Sequence, residues 1–176
     1  MKTLEDQMAF YAAYHQDARN KATHFIGVPV IVLSLFIPLA WLRVDVGGVP
    51  VTAAMVFASV VLVYYFMLDF ALGAAMLLMN AVLLWAGHTI AGLGALQGWI
   101  GFGILLIGGW ILQLVGHVFE GRKPALADNL FQIFVAPIFL CAELFFALGY
   151  KPKLHAAVQA RAREMRAAAD ASLTAA

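Results

Sequence analysis

Two short runs hold most of the groups in this chain that could do chemistry. The first, YHQDARNKATHFIGVP at 14–29, carries His15, Asn20 and His24. The second, WILQLVGHVFEGRKPA at 110–125, carries Gln113, His117 and Glu120. Together they offer imidazole and carboxylate without thiolate. Two or three imidazoles with a carboxylate suit Fe(II), Zn or Mn, and a pair of histidines with one carboxylate is the usual non-haem Fe(II) oxygenase set. In the second run Gln113 and His117 are four apart and His117 and Glu120 three apart, so all three share one helical face. Glu120 can then reach an ion directly or orient a ligand from behind it. His15 and His24 are nine apart. At roughly 100° per residue they point from opposite faces of a straight helix, and one ion could not take both. A shared site therefore requires a turn, and Asp17 and Asn20, both plausible helix N-caps, place a break near 16–20.

A plainer reading competes with the metal one. Histidines at the ends of apolar segments can anchor a protein at the headgroups, with Glu120 capping its helix or pairing with Arg122. His88 and His155 are read that way, as an interfacial and a solvated residue. Arg19, Lys21, Arg122 and Lys123 could hold a lipid carboxylate or contact anionic headgroups. Glu143 is a candidate partner for one of these cations.

The elements that must position these groups are apolar. Hydrophobic residues make up 64% of the 176 residues and charged ones 12%, with a mean hydropathy of +0.88. Soluble domains run nearer 45–50% and about 25%. A bilayer, rather than a soluble core, accommodates such a chain. The net charge of +1 gives no reason to expect a nucleic-acid partner, and the single cysteine, Cys141, excludes an internal disulfide framework. The first 22 residues are polar and mixed in charge, unlike a cleavable signal peptide.

The expected fold is all-α, a polytopic membrane helical bundle forming a single domain over 1–176. Residues 1–20 make an interfacial helix and turn, with Leu4, Met8, Tyr11 and His15 on one inward face. Residues 22–149 make the bundle. Its four spanning segments are 22–42, 51–68, 70–90 and 99–119, each near the roughly 20 residues a bilayer core of about 30 Å requires. The run 43–50 is a turn, 92–98 a loop, and Gly121 a helix stop. A fifth run, 130–149, is broken by Pro137 and either spans or re-enters. Residues 151–176 form a basic amphipathic tail on the membrane surface, with Leu154, Val158 and Met165 as its apolar stripe. Four crossings return the chain to its starting side, so the runs at 14–24 and 113–124 meet at one face. A re-entrant fifth segment would also keep the basic clusters on one side, as the positive-inside tendency favours.

The paired runs carry a family resemblance. His15, Asn20, His24, Gly27 and Pro29 fit H-x4-N-x3-H-x2-G-x-P. Gln113, His117, Glu120, Arg122, Lys123, Pro124 and Ala125 fit Q-x3-H-x2-E-x-(R/K)-(R/K)-P-A, followed by "DNL" at 128–130 and "AP" at 136–137. The chain from about 10 to 150 resembles the small membrane family that includes the 2-hydroxy fatty acid dioxygenases of fatty-acid α-oxidation and phytosphingosine breakdown. That resemblance implies an Fe(II)-dependent dioxygenase that cleaves C1–C2 of a 2-hydroxy fatty acid. The substrate would chelate the iron through its carboxylate and 2-hydroxyl, O2 would use a remaining position, and the acyl tail would lie among the apolar helices. It implies His15, His24 and His117 as metal ligands, Glu120 as ligand or supporting base, and Gln113 and Asn20 as orienting groups. Arg19, Lys21, Arg122 and Lys123 would receive the substrate carboxylate.

A multi-pass protein of the inner or cell membrane is expected in a bacterium, and of the endoplasmic reticulum in a eukaryote. Its partners are the hydroxy acid, O2 and membrane lipids, and oligomeric state has no signature in the sequence. Two other classes remain open: a haem protein with two axial histidines, and a non-catalytic lipid-binding or transport protein. Ligand type alone separates iron from zinc poorly.

Overall fold

The computed structural model describes residues 3–174; the expected tail thus extends beyond them at 175–176, and the N-terminal region at 1–2. The fold is all-α, with helices α1 (Leu4–Ala13), α2 (Ala18–Trp41), α3 (Ala53–Leu68), α4 (Phe70–Gly92), α5 (Ala95–Glu120), α6 (Gln132–Ala147) and α7 (Pro152–Thr174). A short 3-10 turn, Ala125–Ala127, lies in the loop before α6. By contact the chain divides into one unit of 1–22 with 114–176 and another of 23–113. The boundaries fall within α2 and α5, which run unbroken through them.

In the first unit, α1 packs against α6 and α7. Thr3 and Asp6 form a reciprocal capping box at the start of α1, which satisfies two otherwise orphaned N–H donors. The expected inward stripe is buried throughout: Leu4, Met8, Tyr11 and His15 are each at most 9% exposed. Met8, Ala9, Val135, Ile138, Phe139, Val158 and Ala162 are buried in this unit. The apolar face of α7 is therefore covered by protein, at least through Val158 and Ala162. Periodicity had assigned that face to the bilayer, but a stripe records only that something apolar must cover it.

The second unit holds the long apolar helices. α2, α4 and α5 are long and apolar enough to cross a membrane, whereas α3, like α6 of the first unit, has 16 residues and is a shorter apolar helix. Many of their uncovered residues are apolar, including Val56, Val60, Leu78, Val82, Ile104, Ile107 and Ile111, as a lipid-facing surface requires. Asp69 is at once the last cap of α3 and the N-cap of α4, its side chain accepting from the Leu72 N–H. The bend between α3 and α4 thus rests on one residue.

The loop expected at 92–98 shortens to Leu93 and Gly94, because α5 already begins at Ala95, and two further local structures differ from the sequence reading. The run 43–50 is part of an antiparallel hairpin, Arg43–Val46 against Val49–Thr52. Its two-residue loop, Gly47 and Gly48 at φ +62° and +85°, has the double positive φ that a tight hairpin turn needs. The second difference is α6, which continues through Pro137. A proline in a helix removes one backbone hydrogen bond, but Pro137 lies in a buried stretch from Val135 to Leu140 that holds the helix on both sides.

Within the second unit, α2 and α5 approach closely where two glycines face each other. A Cβ on Gly27 would lie 2.7 Å from Gln113 Nε2 and 3.1 Å from the Gly109 carbonyl. One on Gly109 would lie 2.6 Å from Ile31 Cγ1 and 3.1 Å from the Gly27 carbonyl. Backbone meets backbone here because neither residue has a side chain. His24 lies three residues before Gly27 on α2, and His117 four residues after Gln113 on α5.

Candidate metal centre

The turn that helical phase demanded lies at 14–17. α1 ends at Tyr14, and α2 begins at Ala18 with Asp17 before it. Asp17 Oδ1 accepts from the Arg19 N–H over 2.8 Å, as an N-cap does. Salt-bridging to the Arg19 guanidinium, with the backbone bond adding to it, lowers the Asp17 carboxyl to about 2. Asn20 is not the cap. It sits inside the first turn of α2, fully buried, and Nδ2 donates to the Tyr14 carbonyl at 3.3 Å and to Glu120 Oε2 at 3.1 Å.

His15, His24 and His117 are all buried, and one potential ligand atom from each lies within 4.8 Å of the others. His15 Nδ1 faces the Tyr11 carbonyl at 2.8 Å. A carbonyl only accepts, so Nδ1 carries the hydrogen and Nε2 is the acceptor nitrogen of the ring. The ring is held further by stacking on Tyr11, centroid to centroid 4.0 Å, and meets His117 edge-on at 5.0 Å. Buried imidazoles converging in this way, one with its tautomer fixed by a backbone carbonyl, fit a divalent ion of the Fe or Zn type.

Glu120 has a different place. Its Oε2 accepts from the Gln16 N–H at 3.0 Å, the Asp17 N–H at 2.8 Å and Asn20 Nδ2. Its Oε1 pairs with Arg166 of α7. The carboxylate thus binds the turn that joins His15 to α2, and among the described residues the metal-competent group comprises the three histidines.

A second carboxylate braces the same turn. Tyr14 donates its hydroxyl to Asp128 Oδ2 at 2.6 Å, and Lys123 donates to Oδ1 at 2.6 Å. Burial, then the Asp128 bond, pushes the Tyr14 phenol up to about 12, so it stays a donor. Lys123, then Tyr14, holds the Asp128 carboxyl below its ordinary value.

The four cations expected at the substrate carboxylate all have acidic partners: Arg19 with Asp17, Lys21 with Glu143 at 2.6 Å, Arg122 with Asp170, and Lys123 with Asp128. Lys21 and Glu143 are the most buried of these pairs, their side chains 21% and 12% exposed. Gln113 is buried, and among the described residues its Nε2 has no hydrogen-bond partner. His88 lies elsewhere, its Nδ1 on the Leu84 carbonyl and its Nε2 on Thr52 Oγ1. His155, expected in solvent, is half-buried and stacked on Phe146 at 4.7 Å.

Sequence reasoning missed Asp128, Tyr14 and Arg166. A signal existed for Arg166, which continues by steps of four the face begun by Val158 and Ala162.

Comparison with known proteins gives a consistent result. A family model described as 2-hydroxy-palmitic acid dioxygenase Mpo1-like matches residues 1–148. The 2-hydroxy-palmitic acid dioxygenase MPO1 of Saccharomyces cerevisiae is 35% identical over 160 residues, covering 89% of this chain and 87% of the yeast protein. No solved structure matches.

Proposed function

This chain belongs to the Mpo1-like family, and from that premise we propose that it is an iron-dependent dioxygenase of 2-hydroxy fatty acids. The reaction cleaves the C1–C2 bond and leaves an acid one carbon shorter. The observation that carries this reading is the buried convergence of His15, His24 and His117 in a relative of a 2-hydroxy-palmitic acid dioxygenase.

Fe(II) held by these three imidazoles supplies the O2 activation and the substrate orientation that such a cleavage needs. The chain's own residues do the rest. Glu120 and Asn20 hold the turn between His15 and α2 in one conformation. Lys21, one helical turn before His24, is the best placed of the four cations to meet a substrate carboxylate, with Glu143 as its resting partner. Arg19, Arg122 and Lys123 shape the charge of the same region. Gln113, with an amide hydrogen to give, hydrogen-bonds the substrate or an ordered water. The acyl chain lies against apolar helix surface, which keeps water from the reacting carbon. The protein works in the inner or cell membrane of a bacterium, or in the endoplasmic reticulum of a eukaryote.

The test is turnover by purified protein supplied with Fe(II), O2 and 2-hydroxypalmitate. The expected result is oxygen consumption matched by appearance of the acid one carbon shorter. Absence of both would remove the dioxygenase reading for this substrate.

A further inference from the structure

α7 lies beyond the residues that the family model matches, yet it reaches Glu120, the carboxylate that binds the turn directly after His15. Val158, Ala162, Arg166 and Asp170 recur at steps of four and so share one face. The first two are completely buried. Arg166 pairs with Glu120 and Asp170 with Arg122. One turn to the side, Arg161 Nη1 donates to Asp6 Oδ1 at 2.5 Å. α7 is thereby fixed to α1 by apolar burial and an ion pair, and by two more ion pairs to Glu120 at the end of α5 and Arg122 just beyond it.

The Glu120 side chain is 1% exposed. Its two oxygens are divided between two tasks. Oε2 takes the Gln16 and Asp17 N–H groups and Asn20, whereas Oε1 faces the guanidinium. Removing one member of a buried ion pair leaves an uncompensated charge, which the protein relieves by moving it or admitting water. Movement of Glu120 releases two consecutive backbone N–H groups directly after His15.

We propose that Arg166 is a positioning residue for the metal centre, acting through Glu120 on the 14–17 turn and so on the placement of His15. The C-terminal helix is then part of the metal site's support, and iron loading depends on α7 being docked. The inference rests on the metal reading above. Loss of a residue that orients metal ligands typically costs about 10–100-fold in metal affinity, and Arg166→Ala is expected to fall in that range.

The experiment is anaerobic titration of the purified full chain with Co(II), read by the visible ligand-field absorption of the bound ion. Wild type, Arg166→Ala, Arg166→Lys and Arg163→Ala are compared, with helicity and thermal midpoint recorded for each apo protein. Arg163 is exposed on the same helix and serves as the control. Expected are weaker binding and an altered spectrum in Arg166→Ala, partial recovery in Arg166→Lys, which keeps the charge but loses the planar fork, and wild-type behaviour in Arg163→Ala. If Arg166→Ala does not fold, the lysine variant carries the test, since it too must bind more weakly than wild type. Wild-type affinity and spectrum in both Arg166 variants would overturn the proposal and leave the metal reading standing. A wild-type chain that binds no Co(II) would overturn both.

Discussion

Asn20 Nδ2 donates to Glu120 Oε2 across 3.1 Å and a separation of 100 residues. Both side chains are buried, and the bond joins the start of α2 to the end of α5 within one compact unit. Asn20→Ala leaves Glu120 a donor short in a buried place, a loss of about 1–3 kcal/mol. Asn20→Asp is expected to be worse, because it sets a second carboxylate against the first. Thermal unfolding in detergent, with turnover measured beside it, gives the order wild type, alanine, aspartate. An aspartate variant as stable as wild type would contradict this account of the bond.

The five histidines should separate into two groups. Alanine at His15, His24 or His117 should abolish turnover while helicity by circular dichroism stays at the wild-type level. His88→Ala should leave turnover near wild type, since its nitrogens serve Leu84 and Thr52. His155→Ala, which removes the stack on Phe146, should do the same. Normal turnover in His24→Ala, or a large loss in His88→Ala, would redraw the site.

The crossing of α2 and α5 depends on Gly27 and Gly109. A methyl group at either meets neighbouring atoms at 2.7 Å or less, with backbone carbonyl at 3.1 Å. Overpacking of this kind typically costs about 1–3 kcal/mol. Gly27→Ala and Gly109→Ala should therefore both lower the unfolding midpoint. Gly103→Ala on the same α5 should not, because its added Cβ meets nothing within 4 Å and alanine favours the helix by up to about 1 kcal/mol. Equal midpoints for all three would mean that the helices can separate at no cost.

Docking of α7 should depend on pH through Asp6. Its carboxyl is held below the ordinary value of 3.8 by the Thr3 backbone bond first, then the Thr3 hydroxyl and Arg161. A depressed carboxylate contributes stability that is complete above its unfolded value and lost as pH falls through the folded one. Hydrogen exchange in α7 should therefore be constant from neutral pH to about 4, after correction for intrinsic rates, and accelerate below it. In Asp6→Asn that acid step should shrink. An unchanged step in Asp6→Asn would assign it to other carboxylates.

Much of this was legible in the chain because helical period and ligand spacing are local. The stripe of Leu4, Met8, Tyr11 and His15 and the Gln113–His117–Glu120 face follow from residue spacing. The break between His15 and His24 was required by phase, and it is present at 14–17. What escaped depended on partners distant in sequence. Asn20 looked like a cap because its type favours one, but Asp17 holds that role and Asn20 reaches Glu120 instead. Spacing left Glu120 able to bind a metal or support one from behind, and it could not show the distant donors at Gln16, Asp17, Asn20 and Arg166. The stripe on α7 announced an apolar neighbour without naming α1, and Arg166 lay within the basic tail assigned to the membrane surface. The hairpin at 43–52 was hidden by its shortness, four residues a strand around two glycines.

The central claim, that His15, His24 and His117 hold iron, is tested most directly by metal analysis of anaerobically purified protein. Wild type and His24→Ala are prepared side by side and assayed for iron and zinc. Iron bound by wild type and missing from a folded His24→Ala is the expected result. A wild-type chain without iron, or equal iron in both, would contradict it.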